Sequence, residues 1–372
     1  MKKKTPPPSQ KFNVGQVLKK AGVKKREKRE QPLWDGPCLD TPQGGITQSL
    51  LNDFLSCPER FRIKTIEGLQ VFDRFKPAIE YGNLWHTCEE YYARKADWKE
   101  PLKQAAQELV KRYPLQQEEV VKFYMACLTQ FPEYVKYWKG HEQEKKRKPI
   151  AQEVSFSVPY ELPGRVATVF LRGKWDQIDI IDGKLWLKEN KTKGNPNELA
   201  IQKQLKFDLQ TMLYLVAMRE TYKEPIAGVR YNVIRRPFSG GKGSIKRKEP
   251  TKTNPQGETE KEYYERLGAY FKEEPAEWFM RWETQINAKQ IQRYEKEFLI
   301  PTLLRLTDWY DSVSECFLRG KSPFEDMNGI HYRTPYGVYN PVSEAGFTDL
   351  DAYLDEGSEV GLVRCETLFP EL

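Results

Sequence analysis

The 372-residue chain has no apolar run near the roughly 18 residues that cross a membrane as a helix, and its basic N-terminus lacks the apolar stretch of a signal peptide. A soluble, cytoplasmic protein with no membrane partner is the expectation. The six cysteines, Cys38, Cys57, Cys88, Cys127, Cys316 and Cys365, are scattered, with no CxxC pair and no zinc-type spacing. They read as reduced thiols, mostly core. No internal repeat occurs. The stretch from Ser239 to Lys248 is rich in glycine and lysine, but it lacks the closing Gly-Lys-Ser/Thr of a nucleotide-binding loop.

Net charge is nearly absent from the body of the chain. Residues 1 to 31 hold eleven Lys and Arg against Glu27 and Glu30, a net +9, which leaves the other 341 residues at −2 of the chain's +7. A basic tail with Pro6-Pro7-Pro8 and few aliphatics is expected to be disordered and to favour a polyanion. A solubilising leader is the plainer alternative. The second basic segment, 242 to 252, carries Lys242, Lys246, Arg247, Lys248 and Lys252 against Glu249. It could grip phosphates.

What is present begins with a helix from Thr47 carrying Leu50, Leu51, Phe54 and Leu55 and ending at Cys57-Pro58. A helix is expected from near Gly82 to Tyr92, with Trp85, Cys88 and Tyr92 as its apolar stripe and His86 beside Glu89 and Glu90. Residues 100 to 148 read as charged helices. From Ile150 the pattern changes to period two, with Val154, Phe156 and Val158 on one strand face and Glu153 on the other. Asn197 is expected to cap a helix running to Tyr222, and Gly228 to Ile234 to return as a strand. Residues 257 to 319 read as long helices.

The strongest local signal is Asp182-Gly183 between two β-prone runs, because a type I′ turn needs positive φ at both central residues. If these two form the loop, Ile181 pairs with Lys184 and Asp176 falls opposite Glu189. Lys191 shares their face, since side chains two apart on a strand point the same way. Opposed carboxylates lie about 5 Å apart at Cβ, and near a dielectric of 20 they repel by roughly 3 kcal/mol. A divalent cation between them turns that repulsion into attraction. A solvated hairpin is the rival reading, but Leu185 and Leu187 put apolar surface beside the acids.

These pieces, in order, resemble the PD-(D/E)XK nuclease superfamily, and within it the RecB-like branch with phage recombination exonucleases and CRISPR-adaptation nucleases. Phe54 to Phe61 is similar to that branch's Cys-Pro element, and Gly82 to His86 to its helix with a metal-binding histidine. Glu153 matches an acid on the first core strand, and Gly173-Lys174-Trp175-Asp176 a G-x-x-D strand. Glu189-Asn190-Lys191 matches E-x-K, and Gln210 to Tyr214 a QxxxY helix.

The resemblance implies an α/β, restriction-endonuclease-like core, a central mixed sheet flanked by helices, with a helical N-terminal insert and a C-terminal helical extension. With the composition, it divides the chain into a basic tail and linker (1–45), a nuclease core (46–236) with a helical insert (95–148), a basic loop (237–256) and the extension (257–372), which has no assigned counterpart in the family. It implies that Asp176 and Glu189 bind Mg²⁺ or Mn²⁺ with help from His86 and the Asn190 carbonyl. Lys191 would position or deprotonate the attacking water, and Glu153, Gln210 and Tyr214 would support the site. On charge alone, Lys242, Lys246, Arg247 and Lys248 are the expected DNA contacts. The implied activity is a metal-dependent deoxyribonuclease in recombination, repair or replication, an exonuclease more than a structure-selective endonuclease. A non-catalytic DNA-binding protein and an RNA-directed enzyme are the rivals. A helicase or recombination protein is the implied partner, in a bacterium or a phage-infected host. Iron–sulfur members pair the early cysteine with three late ones; residues 328 to 337 hold none, so no iron–sulfur cluster is expected.

Overall fold

In a computed structural model, residues 31–71, 74–141, 144, 146–165, 167–197, 199, 208–238, 245–252, 254–318, 362–370 and 372 are described. The tail 1–30, residues 200–207, Lys242 and residues 328–337 lie outside them. The helices are α1 (Gln48–Ser56), α2 (Pro58–Phe61), α3 (Pro77–Ala93), α4 (Lys99–Arg112), α5 (Gln117–Lys139), α6 (Leu209–Thr221), α7 (Glu260–Glu273), α8 (Ala288–Tyr294) and α9 (Ile300–Leu318). The strands are β1 (Leu69–Val71), β2 (Lys148–Glu161), β3 (Thr168–Ile181), β4 (Lys184–Lys193), β5 (Ile226–Arg235), β6 (Phe279–Gln285) and β7 (Leu362–Arg364). No described helix is long and apolar enough to cross a membrane.

The chain divides into two compact units. One takes residues 1–44, 49–73 and 305–371. Its core stacks Trp34, Phe54, Phe61 and Trp309 edge to face, at centroid separations of 5.1 to 5.8 Å. Cys57 ends α1 as expected: its Sγ accepts the Arg60 N–H, and Pro58 starts α2 at a position where a missing N–H costs nothing. Buried Arg62 pairs with Glu59 at 2.7 Å and Glu67 at 3.4 Å, so its charge is neutralised where water is excluded. Strands β1 and β7 pair antiparallel.

The other unit, 45–48, 74–304 and 372, holds a five-stranded sheet in the order β2-β3-β4-β5-β6. The turn between β3 and β4 has Asp182 at φ +50 and Gly183 at φ +74, the type I′ geometry that the Asp-Gly pair favours. The ladder then runs from Ile181↔Lys184 to Gln177↔Lys188 in the anticipated register. Strands β4 and β5 are parallel, which requires a crossover, and α6 supplies it. The sheet is mixed, the class α/β.

Helix α6 packs on β2, β3 and β5. It is buried from Thr211 to Met218, as a helix covered on all sides must be. A second core joins Trp85 of α3, Phe123 and Phe131 of α5, and Leu267 and Phe271 of α7 with Ile234 and Phe279 of the sheet.

Four expectations are corrected. Helix α3 starts at Pro77, not near Gly82, because proline is well placed in a first turn; its Tyr92 is exposed rather than part of the buried stripe. The helix expected from Asn197 to Tyr222 does not run through position 208. Asp208 is extended, and its carboxylate caps Thr211 N at 2.9 Å, so α6 begins at Leu209. Val154 is exposed although Phe156 and Val158 are buried, because Glu153 at φ +49 interrupts the alternation of β2. The stretch read as long helices contains β6. Its apolar periodicity is hidden by Arg281 and Glu283, which face Asn232 and Arg230 across the β5–β6 ladder and bond to them.

Candidate active site

His86 lies on α3, Glu153 on β2 and Asp176 on β3, and one ligand atom from each falls within 4.8 Å of the others. His86 Nδ1 is 3.1 Å from Glu153 Oε1 and 3.8 Å from Asp176 Oδ1. Glu153 also takes Lys174 Nζ at 2.8 Å. Its positive φ, uncommon for any residue but glycine and asparagine, sits at this cluster, where local strain is commonly stored.

Glu189 is fully buried on β4. Its Oε2 accepts from Lys191 Nζ at 2.9 Å and Gln210 Nε2 at 3.1 Å, and Gln210 Oε1 accepts from Lys191 Nζ at 3.0 Å, closing a triangle. Glu189 and Lys191 therefore both face α6, as strand parity requires. Asp176 does not complete the expected pair across from Glu189. The β3–β4 ladder ends one position earlier, and Asp176 Oδ2 accepts the Asn190 backbone N–H at 2.8 Å instead.

The physical reason lies in the residues either side of Asp176. Trp175 stacks on Phe156, which meets Tyr214 of α6, whereas Gln177 accepts from Lys188, the ion-pair partner of Glu89 on α3. Neighbours two apart thus serve opposite faces of the sheet. The alternation breaks at Asp176, and the break is matched on β2 by the positive φ of Glu153. Asp176 is left in the seam between strands, within reach of His86.

Electrostatics follow from burial and from this crowding of acids. Burial raises the Glu189 carboxyl to about 7; Lys191 opposes the rise and Asp176 adds to it. Burial disfavours charge on His86, but Asp176 and Glu153 push its pKa up to about 9. Burial likewise works against Lys191, yet Glu189 and Asp176 hold it well above the ordinary lysine range. Glu153 is lowered: burial opposes this, and His86 and Lys174 outweigh it. For Tyr214, burial and then Glu189 raise the phenol to about 12, against a backbone hydrogen bond from Lys174.

Tyr214 packs on the strand rather than joining the triangle. A Cβ at Gly173 would lie 2.8 Å from its ring and 2.7 Å from that of Phe156. Gly173→Ala is expected to destabilise the fold by about 1–3 kcal/mol through overpacking, read as a lowered urea midpoint at constant m. An unchanged midpoint would mean the rings move aside freely.

Lys246, Arg247 and Lys248 are exposed on a loop tied to α7, not on the elements that build the cluster. Arg266 donates to the Lys246 carbonyl at 3.0 Å, and the Lys248 N–H donates to Glu258 at 2.9 Å. Sequence reasoning missed Asp208, which caps α6, and Asn232, which bonds Asn190. The signal for Asn232 was available: an amide between Tyr231 and Val233 in a strand whose other central residues, Arg230 apart, are apolar or aromatic.

The cluster fits a divalent cation. It offers carboxylate oxygens and one imidazole; Glu189 lies outside this three-residue group but feels the charge of Asp176, and its buried Oε1 has no hydrogen-bond partner among the described residues. A family profile described as the PD-(D/E)XK nuclease superfamily matches residues 46–297. The chain belongs to that superfamily, whose members are nucleases using divalent metals. No curated protein matches. Among solved structures, one described as the crystal structure of SSO0001 is similar at 16% identity over 51% of this chain and 62% of that one, with a TM-score of 0.23.

Proposed function

We propose that the protein is a Mg²⁺- or Mn²⁺-dependent deoxyribonuclease that works from DNA ends in recombination, repair or replication. The observation that carries the reading is the meeting of His86, Glu153 and Asp176 beside buried Glu189, whose free oxygen adjoins a lysine-bearing triangle. Asp176, Glu189, His86 and the Asn190 carbonyl would hold the cation, with Glu153 as a further oxygen donor. Such an ion supplies charge stabilisation to the phosphoryl oxygens and acidifies water at the site. Lys191 holds a proton next to Glu189 and orients the attacking water, and Gln210 fixes both side chains. Exposed Lys246, Arg247 and Lys248 suit a phosphate backbone. The preference for ends rests on the resemblance to the RecB-like branch.

End-labelled linear DNA, closed circular DNA and RNA incubated with Mg²⁺ test this directly. Loss of label from linear DNA with circles left intact is the expected result. Nicked circles would overturn the end preference, preferential loss of RNA the choice of substrate, and a lack of metal-dependent cleavage the enzyme itself.

A further inference from the structure

Asn232 is completely buried in the middle of β5, a place where Val229, Val233 and Ile234 satisfy the core with apolar side chains. A buried amide is costly unless every polar atom is bonded, so its presence calls for a reason. Its register partner in the parallel β4–β5 ladder is Asn190. Nδ2 donates to Asn190 Oδ1 at 3.0 Å and to the Tyr134 hydroxyl at 2.8 Å, which uses both amide hydrogens. Oδ1 accepts from Arg281 Nε at 2.6 Å. Arg281 faces Asn232 across the β5–β6 ladder, lies 3.8 Å over the Trp138 ring and pairs with Glu144.

On its other side Asn190 gives its backbone N–H to Asp176. A chain of hydrogen bonds therefore crosses from β6 through β5 and β4 into the ligand cluster, at the place where the β3–β4 ladder has ended. Among the described residues, Asn232 makes the one hydrogen bond to the Asn190 side chain, whose Nδ2 has no partner. We infer that Asn232, locked by Arg281 and Tyr134, is a positioning residue that holds the Asn190 peptide against Asp176 and so sets the cation site. The inference rests on the metal reading of that site. It also explains why β6, remote from the chemistry, carries an arginine on its inner register.

Mn²⁺ titration of the full chain, followed by electron paramagnetic resonance, tests this without relying on cleavage. Partners behind a ligand typically change affinity by 10–100-fold, so Asn232→Leu should weaken Mn²⁺ binding about tenfold or more. Asn232→Asp keeps the volume and can still accept from Arg281, but it cannot donate to Asn190, and it should weaken binding similarly. Arg281→Leu should act in the same direction by a smaller factor, through loosening of the Asn232 amide. Val229→Ala, in the same strand and equally buried, should lower Tm and leave Mn²⁺ affinity unchanged. If Asn232→Leu fails to fold, the Asp and Arg281 variants carry the comparison. Wild-type affinity in the Asn232 variants, or an equal loss in Val229→Ala, would overturn the inference. A wild type that binds no Mn²⁺ would overturn the metal reading itself, and this inference with it.

Discussion

Asp176→Ala is expected to lower metal-dependent DNA cleavage by about 10³-fold or more, equivalent to roughly 4 kcal/mol of barrier. The carboxylate has two tasks in the structure. It lies 3.8 Å from His86, where under the proposed function it would be a ligand oxygen, and it accepts the Asn190 N–H where the strand ladder has parted. Asp176→Asn separates the tasks, because an amide oxygen can still take that N–H while the negative charge is gone. The asparagine variant should keep wild-type stability and still lose cleavage; if it cleaves normally, Asp176 is structural. Lys191→Ala should lose cleavage to a similar extent while still binding Mn²⁺, since it removes the cation of the triangle and no ligand. Loss of Mn²⁺ binding in that variant would assign Lys191 to the ligand set's stability rather than to the reaction.

Metal affinity should rise steeply with pH. His86 keeps its proton up to about 9 and Glu189 up to about 7, and a protonated ligand cannot coordinate. A cation must displace these protons, so each one displaced adds about tenfold in affinity per pH unit. Between pH 7 and 9 the His86 proton alone contributes, a gain of about tenfold per unit. Below pH 7 the Glu189 proton joins it and the dependence steepens; above pH 9 it levels off. Mn²⁺ titrations from pH 6 to 9 would show this, and His86→Gln should flatten the upper limb. A flat wild-type profile over that range would rule out proton competition at these two residues.

Much of the site was legible in the chain because its signals are local. Asp182-Gly183 selects a type I′ turn through its own φ preferences, and the turn sets the register of five cross-strand pairs. Strand parity then places Glu189 and Lys191 on one face, where both meet Gln210 of α6. The order of the six motifs pointed to the nuclease superfamily, and the profile match supports that reading. Parity failed one residue further along, at Asp176. Its neighbours Trp175 and Gln177 are claimed by partners on opposite sides of the sheet; Lys188 follows from the hairpin register, but Phe156 stands on a different strand that no pattern local to the hairpin reveals.

The same division runs through the whole chain. The Asp-Gly turn type, the Cys57-Pro58 helix stop and the mixed α/β class follow from neighbours a few positions apart, so the amino-acid sequence alone determines them. The tertiary structure decided where buried polar groups find partners. Strand β6 escaped periodicity because its charges are matched by Arg230 and Asn232 on another strand. The positive φ of Glu153 is held by His86 and Lys174. A buried charge or amide is tolerated only when its hydrogen bonds are complete, and that condition depends on residues brought together by the fold from separate strands and helices.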